Sequence, residues 1–126
     1  ILRLDEHVLF LGERDDVPAL LNLADFAVLP SLLDNQPFAI IEAQVVGKAV
    51  VGTDAGGIPE MISHGKTGLL AVAGNSDSLY EHLLQLLQDA DFRHLLARNS
   101  RLDGLKRWSL ETALDRTESV YHDVCS

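Results

Sequence analysis

The stretches DNQPFAIIEA, residues 34–43, and GKAVVGTDAGGIPEMI, residues 47–62, decide the fold of this chain. In the first stretch a Pro-Phe-Ala turn opens an apolar helix predicted over 38–47, and Gly47 suits the end of that helix. In the second stretch the apolar run 48–53 predicts a strand, and a short helix is predicted over 58–63. Strand and helix therefore alternate, which is typical of a parallel sheet with helices packed against it.

The same alternation extends outward from these two stretches. The apolar run 26–30 predicts a strand over 26–31 that lies in the centre of the sheet, because no position is left for a solvated face. The other predicted elements are strands over 7–12 and 67–72, the second of them an edge strand, and helices over 15–25, 76–90, 91–100 and 108–124. Asp15 or Asp16 is expected to cap the helix over 15–25, and Ser109 the last helix. The sequence predicts an α/β, Rossmann-like parallel sheet of about four strands with flanking helices.

Composition narrows the class of protein. The 126 residues are 47% hydrophobic and 23% charged, as in an ordinary globular domain. A net charge of −9 argues against nucleic acid as a partner, which requires clustered Lys and Arg. The single cysteine, Cys125, permits no internal disulfide, so a reducing, cytoplasmic setting is expected. The chain opens at Ile1 rather than Met and lacks a G-x-G-x-x-G turn, so we expect the second half of such a domain within a longer protein.

The loop and helix after strand 26–31 carry the strongest candidate site. Ligands of open parallel sheets bind at the carboxyl ends of the strands, where Asp34 lies. The helix then begins at Phe38, Ala39 and Ile40, whose N–H groups are among the four without intrahelical partners and face a phosphate well. Glu42, about one turn further on, can accept hydrogen bonds from a pair of ribose hydroxyls. The alternative is structural: Asp34 and Asn35 cap the helix, and Glu42 is a solvated acid.

The stretch TDAGGIPEMI repeats this design on the next strand. Thr53 and Asp54 end the strand, and Pro59 lies in the first turn of the following helix. Gly56 and Gly57 are interpreted as letting the backbone approach a ligand closely, although an ordinary strand–turn–helix explains them as well.

No metal site is expected. Asp89-Ala90-Asp91 has the D-x-D form of a metal-binding motif, but it falls between two helices, where a capping role is the better interpretation. The histidines lack metal-ligand spacing, and His64 is expected in a solvated turn near the ligand edge.

From His7 to Leu70 the chain resembles the nucleotide-binding C-terminal part of GT-B glycosyltransferases, specifically glycosyltransferase family four, the glycosyl transferases group 1 domain. The signature of that family is two acids separated by seven residues across a loop and a helix, and Asp34 and Glu42 occupy these positions. The resemblance implies that residues 1–126 form a partial C-terminal donor-binding domain, with the N-terminal acceptor domain absent. It also implies a retaining glycosyltransferase that needs no cofactor and no metal.

The resemblance assigns roles to single residues. Glu42 would hydrogen-bond the ribose, and Asp34, the second candidate catalytic residue, would contact hydroxyls of the transferred sugar. The backbone of residues 38–40 would line the sugar and the distal phosphate, with Asn35 in the same donor-binding set. Gly12, Glu13 and Arg14 would lie near the base, although a surface salt bridge is an ordinary alternative for Arg14. Asp34 stands where the family usually has Glu, Ala39 where Gly is common, and the Arg and Lys that neutralise the diphosphate lie upstream of this chain.

The implied reaction transfers a sugar from a nucleotide sugar to a glycan or lipid-linked acceptor, with the full-length protein at the inner face of a membrane. This chain is expected to be inactive alone and to self-associate through an uncovered sheet edge. The alternatives are a nucleotide-sugar epimerase or hydrolase of the same architecture and a non-catalytic nucleotide-binding domain.

Overall fold

A computed structural model describes residues 3–125 of the chain. Its centre is a parallel three-stranded sheet with strand order β1-β2-β3. Six helices alternate with the strands and follow them. The bounds are α1 Val17–Leu23, β1 Phe26–Val28, α2 Phe38–Val46, β2 Ala49–Thr53, α3 Ile58–Met61, β3 Leu69–Ala71, α4 Ser76–Gln88, α5 Ala90–Arg107 and α6 Leu110–Cys125.

The middle strand, β2, organises the core. All five of its residues are buried, because it has a strand on each side and helices on both faces. Val50 packs with residues of α2 and α3, whereas Ala49 and Val51 pack with Leu86 of α4 and Leu96 of α5. Alternate residues of one strand therefore build two cores, as the two-residue period of a strand requires. The predicted parallel α/β sheet with flanking helices is confirmed.

The first predicted strand, over residues 7–12, is wrong. The described chain makes a turn at 4–8 instead, in which the Leu4 carbonyl accepts hydrogen bonds from the amides of His7 and Val8. Leu9 and Phe10 are 80% and 93% exposed, and no strand pairs with this segment in residues 3–125. A strand forms by pairing its N–H and C=O groups with a neighbouring strand, and within residues 3–125 this segment has none, so it stays irregular beyond the turn.

The position predicted for strand 26–31 is also wrong within the described chain. β1 pairs with β2 only and is an edge of the sheet, and Val28 is 41% exposed. Its apolar run matches a strand covered on both faces, but in residues 3–125 no second strand pairs with it. The edge position of β3 is confirmed.

The helix predicted over 91–100 is longer in the structure, since α5 continues to Arg107. Gly104 lies within it, and a Cβ there would be 2.8 Å from Cβ of Gln44. The glycine therefore marks a close crossing of α5 over α2 rather than a break in the helix. Between residues 3 and 125, none of the helices is both long enough and apolar enough to cross a membrane.

Candidate functional site

The predicted phosphate-facing helix begins where the sequence places it. α2 starts at Phe38 after Pro37, and none of the described residues accepts a hydrogen bond from the amides of Phe38 and Ala39. The Ile40 amide is different, because it donates to the Pro37 carbonyl at 3.1 Å, and the Ile40 side chain is fully buried. Two free amides, rather than three, therefore face outward at this positive end of the helix dipole.

Three polar side chains accompany these amides. Asp34 is half-buried in the loop before α2, and Asn35 and Glu42 are exposed. Within residues 3–125 none of the three side chains has a hydrogen-bond or ion-pair partner, so they are available to a ligand. The capping alternative for Asp34 and Asn35 is wrong, because α2 has no side-chain cap. Glu42 is solvent-exposed on α2, which agrees with the solvated acid of the structural alternative and also leaves its carboxylate accessible to a ligand.

The loop that carries Asp34 rests on the second motif. The Gly57 amide donates to the Asp34 carbonyl at 2.8 Å. A Cβ at Gly56 would lie 2.1 Å from the Asp34 carbonyl oxygen, and a Cβ at Gly57 would lie 2.0 Å from that of Asn35. The backbone of the loop that carries Asp34 and Asn35 therefore occupies the space beside the two glycines. The sequence pattern had assigned that space to a ligand. This backbone contact joins the two motifs in the folded chain.

The carboxyl ends of the strands are joined by further hydrogen bonds. The Thr53 hydroxyl donates to the Ser31 carbonyl at 2.6 Å, which connects the end of β2 to the loop after β1. The Asp54 carboxylate accepts the Ala73 amide at 2.8 Å, which connects β2 to the loop after β3. A cleft of about 200 Å³ opens at this edge, lined by Pro30, Leu32, Thr53, Val72, Gly74, Asn75, Ser76 and Leu79.

The residues assigned to the base are not connected by hydrogen bonds to α2 or its loop in the described chain. Gly12, Glu13 and Arg14 are exposed in the segment before α1, and in the described chain no hydrogen bond or ion pair joins them to α2 or its loop. The Arg14 guanidinium donates two bonds of 2.7 Å to Asp16, which agrees with the salt-bridge alternative. This contact lowers the pKa of the Asp16 carboxyl and raises the pKa of Arg14. With both oxygens engaged, Asp16 occupies the N-cap position of α1 but makes no capping bond.

Two other expectations have clear outcomes. Asp89 accepts the Phe92 amide at 2.8 Å at the start of α5, so the capping role in Asp89-Ala90-Asp91 is confirmed. His64 precedes β3 and is exposed. It therefore lies at the amino end of that strand, opposite the edge where ligands bind, and its predicted nearness to the ligand edge is wrong. Its ring accepts the Leu70 amide at 3.0 Å.

Residues 1–89 match the model of the glycosyl transferases group 1 family. The chain belongs to that family. Family four specifically remains a prediction. Over 123 residues the chain is 32% identical to N-acetyl-alpha-D-glucosaminyl L-malate synthase of Bacillus anthracis, covering 98% of this chain and 32% of the relative. It is 39% identical over 97 residues to the N,N'-diacetylbacillosaminyl-diphospho-undecaprenol alpha-1,3-N-acetylgalactosaminyltransferase of Campylobacter jejuni, covering 77% and 26%.

Solved structures agree with the family. The crystal structure of Anabaena Alr3699/HepE in complex with UDP superposes with a TM-score of 0.89 and 28% identity, covering 95% of this chain and 33% of that one. A second structure of the same protein holds UDP-glucose and gives a TM-score of 0.88. The sheet and its helices are therefore those of a GT-B glycosyltransferase. The group 1 chain spans about a third, or less, of the length of these proteins.

Proposed function

We propose that this chain is the donor-binding part of a retaining glycosyltransferase of family four, which transfers a sugar from a nucleotide sugar to a glycan or lipid-linked acceptor. The observation that carries the proposal is the start of α2, where the amides of Phe38 and Ala39 and the side chains of Asp34 and Asn35 have no partner within residues 3–125, with Glu42 unpaired about one turn further along the helix. Family membership supports it, as does the similar protein that binds UDP and UDP-glucose. On this proposal residues 1–126 are part of the C-terminal domain.

The diphosphate would lie against the Phe38 and Ala39 amides. Anions bind at helix N-termini because unpaired N–H groups and the helix dipole supply a local positive field, which a chain of net charge −9 otherwise lacks. Glu42 would accept hydrogen bonds from the ribose, and Asp34, with Asn35, from hydroxyls of the sugar. Residues 12–14 would contact the base. Asp34 is one methylene shorter than Glu, so it would reach the sugar hydroxyls from closer range.

Catalysis would be mainly electrostatic. Cleavage of the bond between the anomeric carbon and the phosphate oxygen places negative charge on the departing diphosphate, and the α2 amides would stabilise that charge as it develops. Binding of the nucleotide would orient the anomeric carbon, and a donor phosphate oxygen would take the proton of the acceptor hydroxyl. The reaction would retain the anomeric configuration without a metal. Groups outside this chain would complete the site, so we expect no turnover by residues 1–126 alone.

The acceptor and the location belong to the same proposal. The similar Campylobacter enzyme is named for a diphospho-undecaprenol substrate. An acceptor of that kind would bring the active site to the inner, cytoplasmic face of a membrane by peripheral association.

Calorimetric titration of the full-length protein with UDP, GDP and ADP tests the proposal. We expect one of the three to bind, and Glu42→Ala to weaken that nucleotide about tenfold or more, because a hydrogen bond to a charged group contributes about 1.5–3 kcal/mol. Glu81→Ala is the matched control, since Glu81 is also an exposed acid on a helix but lies on α4. Absence of binding by the full-length protein would overturn the proposal.

Product analysis distinguishes a transferase from an epimerase. A transferase releases the nucleoside diphosphate and joins the sugar to an acceptor, whereas an epimerase leaves the sugar on the nucleotide. Binding without either product would favour the non-catalytic alternative.

A further inference from the structure

The face of α2 that packs against α5 carries a buried polar residue. Gln44 is fully buried, and its amide Nε2 donates to the Met61 carbonyl at 2.8 Å. Its Oε1 accepts the indole N–H of Trp108 at 2.7 Å. Because a carbonyl can only accept and an indole N–H can only donate, these partners fix the orientation of the Gln44 amide. One side chain of α2 thus joins the end of α3 to the end of α5.

Arg107 extends this contact on the side of α3. Its guanidinium donates to the Glu60 carbonyl at 2.6 Å and lies 4.9 Å from the centre of the Trp108 ring. It also pairs with Asp103 at 3.2 Å. We call Gln44, Arg107 and Trp108 the rear clamp, because they join α2 and α3 from the side of α5.

The front ends of the same two helices are joined as well. α2 begins after the Asp34–Asn35 loop, α3 begins after the Gly56–Gly57 turn, and that loop and turn are in direct backbone contact. Asn35 and Gly57 line the same cleft, of about 210 Å³, as Arg107 and Trp108. The loop bearing Asp34 and Asn35 and the rear clamp therefore line one cleft, and α2 and α3 connect them.

We propose that Gln44 is a positioning residue for the nucleotide sugar, an inference that rests on the proposed function. Ala39 and Gln44 lie on one short helix, about 7–8 Å apart along its axis, so a tilt at Gln44 is transmitted to the free amides. Hydrogen bonds to a phosphate need donor–acceptor distances of about 2.7–3.2 Å, so a shift of about 1 Å breaks them. Gln44 thus keeps the free amides of α2 within hydrogen-bond distance of a bound phosphate, without touching the ligand itself.

The test uses the full-length protein and the nucleotide that binds best among UDP, GDP and ADP. Gln44→Met keeps a similar volume and removes both hydrogen bonds, and Trp108→Phe removes one donor while keeping an aromatic ring. Ser100→Ala is the control, because Ser100 is fully buried on α5 and its hydroxyl has no partner. We expect the dissociation constant to rise about five- to tenfold in the first two variants, which corresponds to the loss of one hydrogen bond between an α2 amide and the phosphate. It should be unchanged in the control.

A pH profile separates positioning from general stability. In Gln44→Glu the protonated carboxyl group can donate to Met61 and accept from Trp108 as the amide does, whereas the ionised group cannot donate. Burial disfavours ionisation, so the introduced group should change its charge above the usual range for Glu. We expect nucleotide affinity near the wild-type value at the acidic end of the profile, falling as the pH rises.

Three outcomes decide between the proposals. The positioning role is supported if Gln44→Met and Trp108→Phe bind more weakly at a temperature where both are folded. It also requires that the affinity of Gln44→Glu fall as the pH rises. Lower melting temperatures with unchanged dissociation constants would overturn it and leave the proposed function intact. Failure of the wild-type protein to bind any of the nucleotides would overturn the proposed function itself.

Discussion

Gly56→Ala should separate the loop that carries Asp34 from the turn on which it rests. Gly56 has φ of +56°, where a side chain costs about 1–2 kcal/mol. Its new Cβ would also lie 2.1 Å from the Asp34 carbonyl oxygen, so the loop would have to move by about 1 Å, at a cost typical of overpacking, about 1–3 kcal/mol. The bond from the Gly57 amide to Asp34 would be lost, about 1 kcal/mol more. We expect a loss of about 3–6 kcal/mol in the free energy of unfolding.

Gly65→Ala is the matched control for this variant. Gly65 has φ of +74°, but a Cβ there would meet nothing within 4 Å, so we expect only the conformational cost of about 1–2 kcal/mol. Gly57→Ala isolates the second effect, because Gly57 has an ordinary φ of −89° and a Cβ that would lie 2.0 Å from the Asn35 oxygen.

The assay is urea unfolding followed by circular dichroism, together with nucleotide titration of the full-length protein. Gly56→Ala and Gly57→Ala should be destabilised and should bind nucleotide more weakly, whereas Gly65→Ala should bind like the wild type. If Gly56→Ala and Gly65→Ala lost the same free energy of unfolding, the contact between the two motifs would add nothing to stability beyond the conformational effect of the glycine, contrary to this prediction.

Three further predictions concern single side chains. Asn75→Ala should cost about 1 kcal/mol in urea unfolding, because the side-chain Oδ1 of Asn75 caps two amides of α4, and an unchanged midpoint would contradict this. Ser100→Ala should leave the free energy of unfolding unchanged or raise it by about 1 kcal/mol, because its buried hydroxyl has no partner, and a clear loss would reveal one. Arg14→Ala should raise the pKa of Asp16 toward its ordinary value of about 3.9, measured by NMR titration. Because folding lowers that pKa, the small contribution of the pair is present above about pH 4 and is lost as the pH falls through the folded pKa.

The periodic part of the fold could be predicted from the sequence because its causes are local. An apolar run bounded by small residues specified β2, and Gly47 ended α2, where it adopts a φ of 85°. The strand expected at 7–12 could not be judged in this way, because a strand exists only with a partner and the sequence does not show whether a partner is present. The length of α5 was missed because the prediction ended the helix at residue 100, and the contact of Gly104 with Gln44, which packs the rest of α5 against α2, joins residues far apart in the sequence.

Some features of the candidate site could likewise be predicted from the sequence, and others could not. The position of Asp34 and the start of α2 were predictable, because a loop after a strand and a proline before a helix are local signals. The function of Gly56 and Gly57 was not, because only the folded chain shows which backbone approaches them. Gln44 gave one weak signal, a polar residue in a helix that is apolar apart from Glu42. Its partners are 17 and 64 residues away in the sequence, so no local pattern identifies them.

On the proposed function, the binding edge is formed by main-chain geometry more than by its side chains. The two free amides of α2, the Asp34 carbonyl and the turn at Gly56–Gly57 belong to the backbone, and their relative positions depend on residues that touch no ligand. Such a site would let a chain with a net charge of −9 bind the diphosphate of the proposed donor. It also means that replacing Asp34 or Glu42 removes single hydrogen bonds, whereas a shift at Gly56 or Gln44 displaces the amides together. On this reasoning the residues behind the site should affect nucleotide affinity as strongly as those that face it.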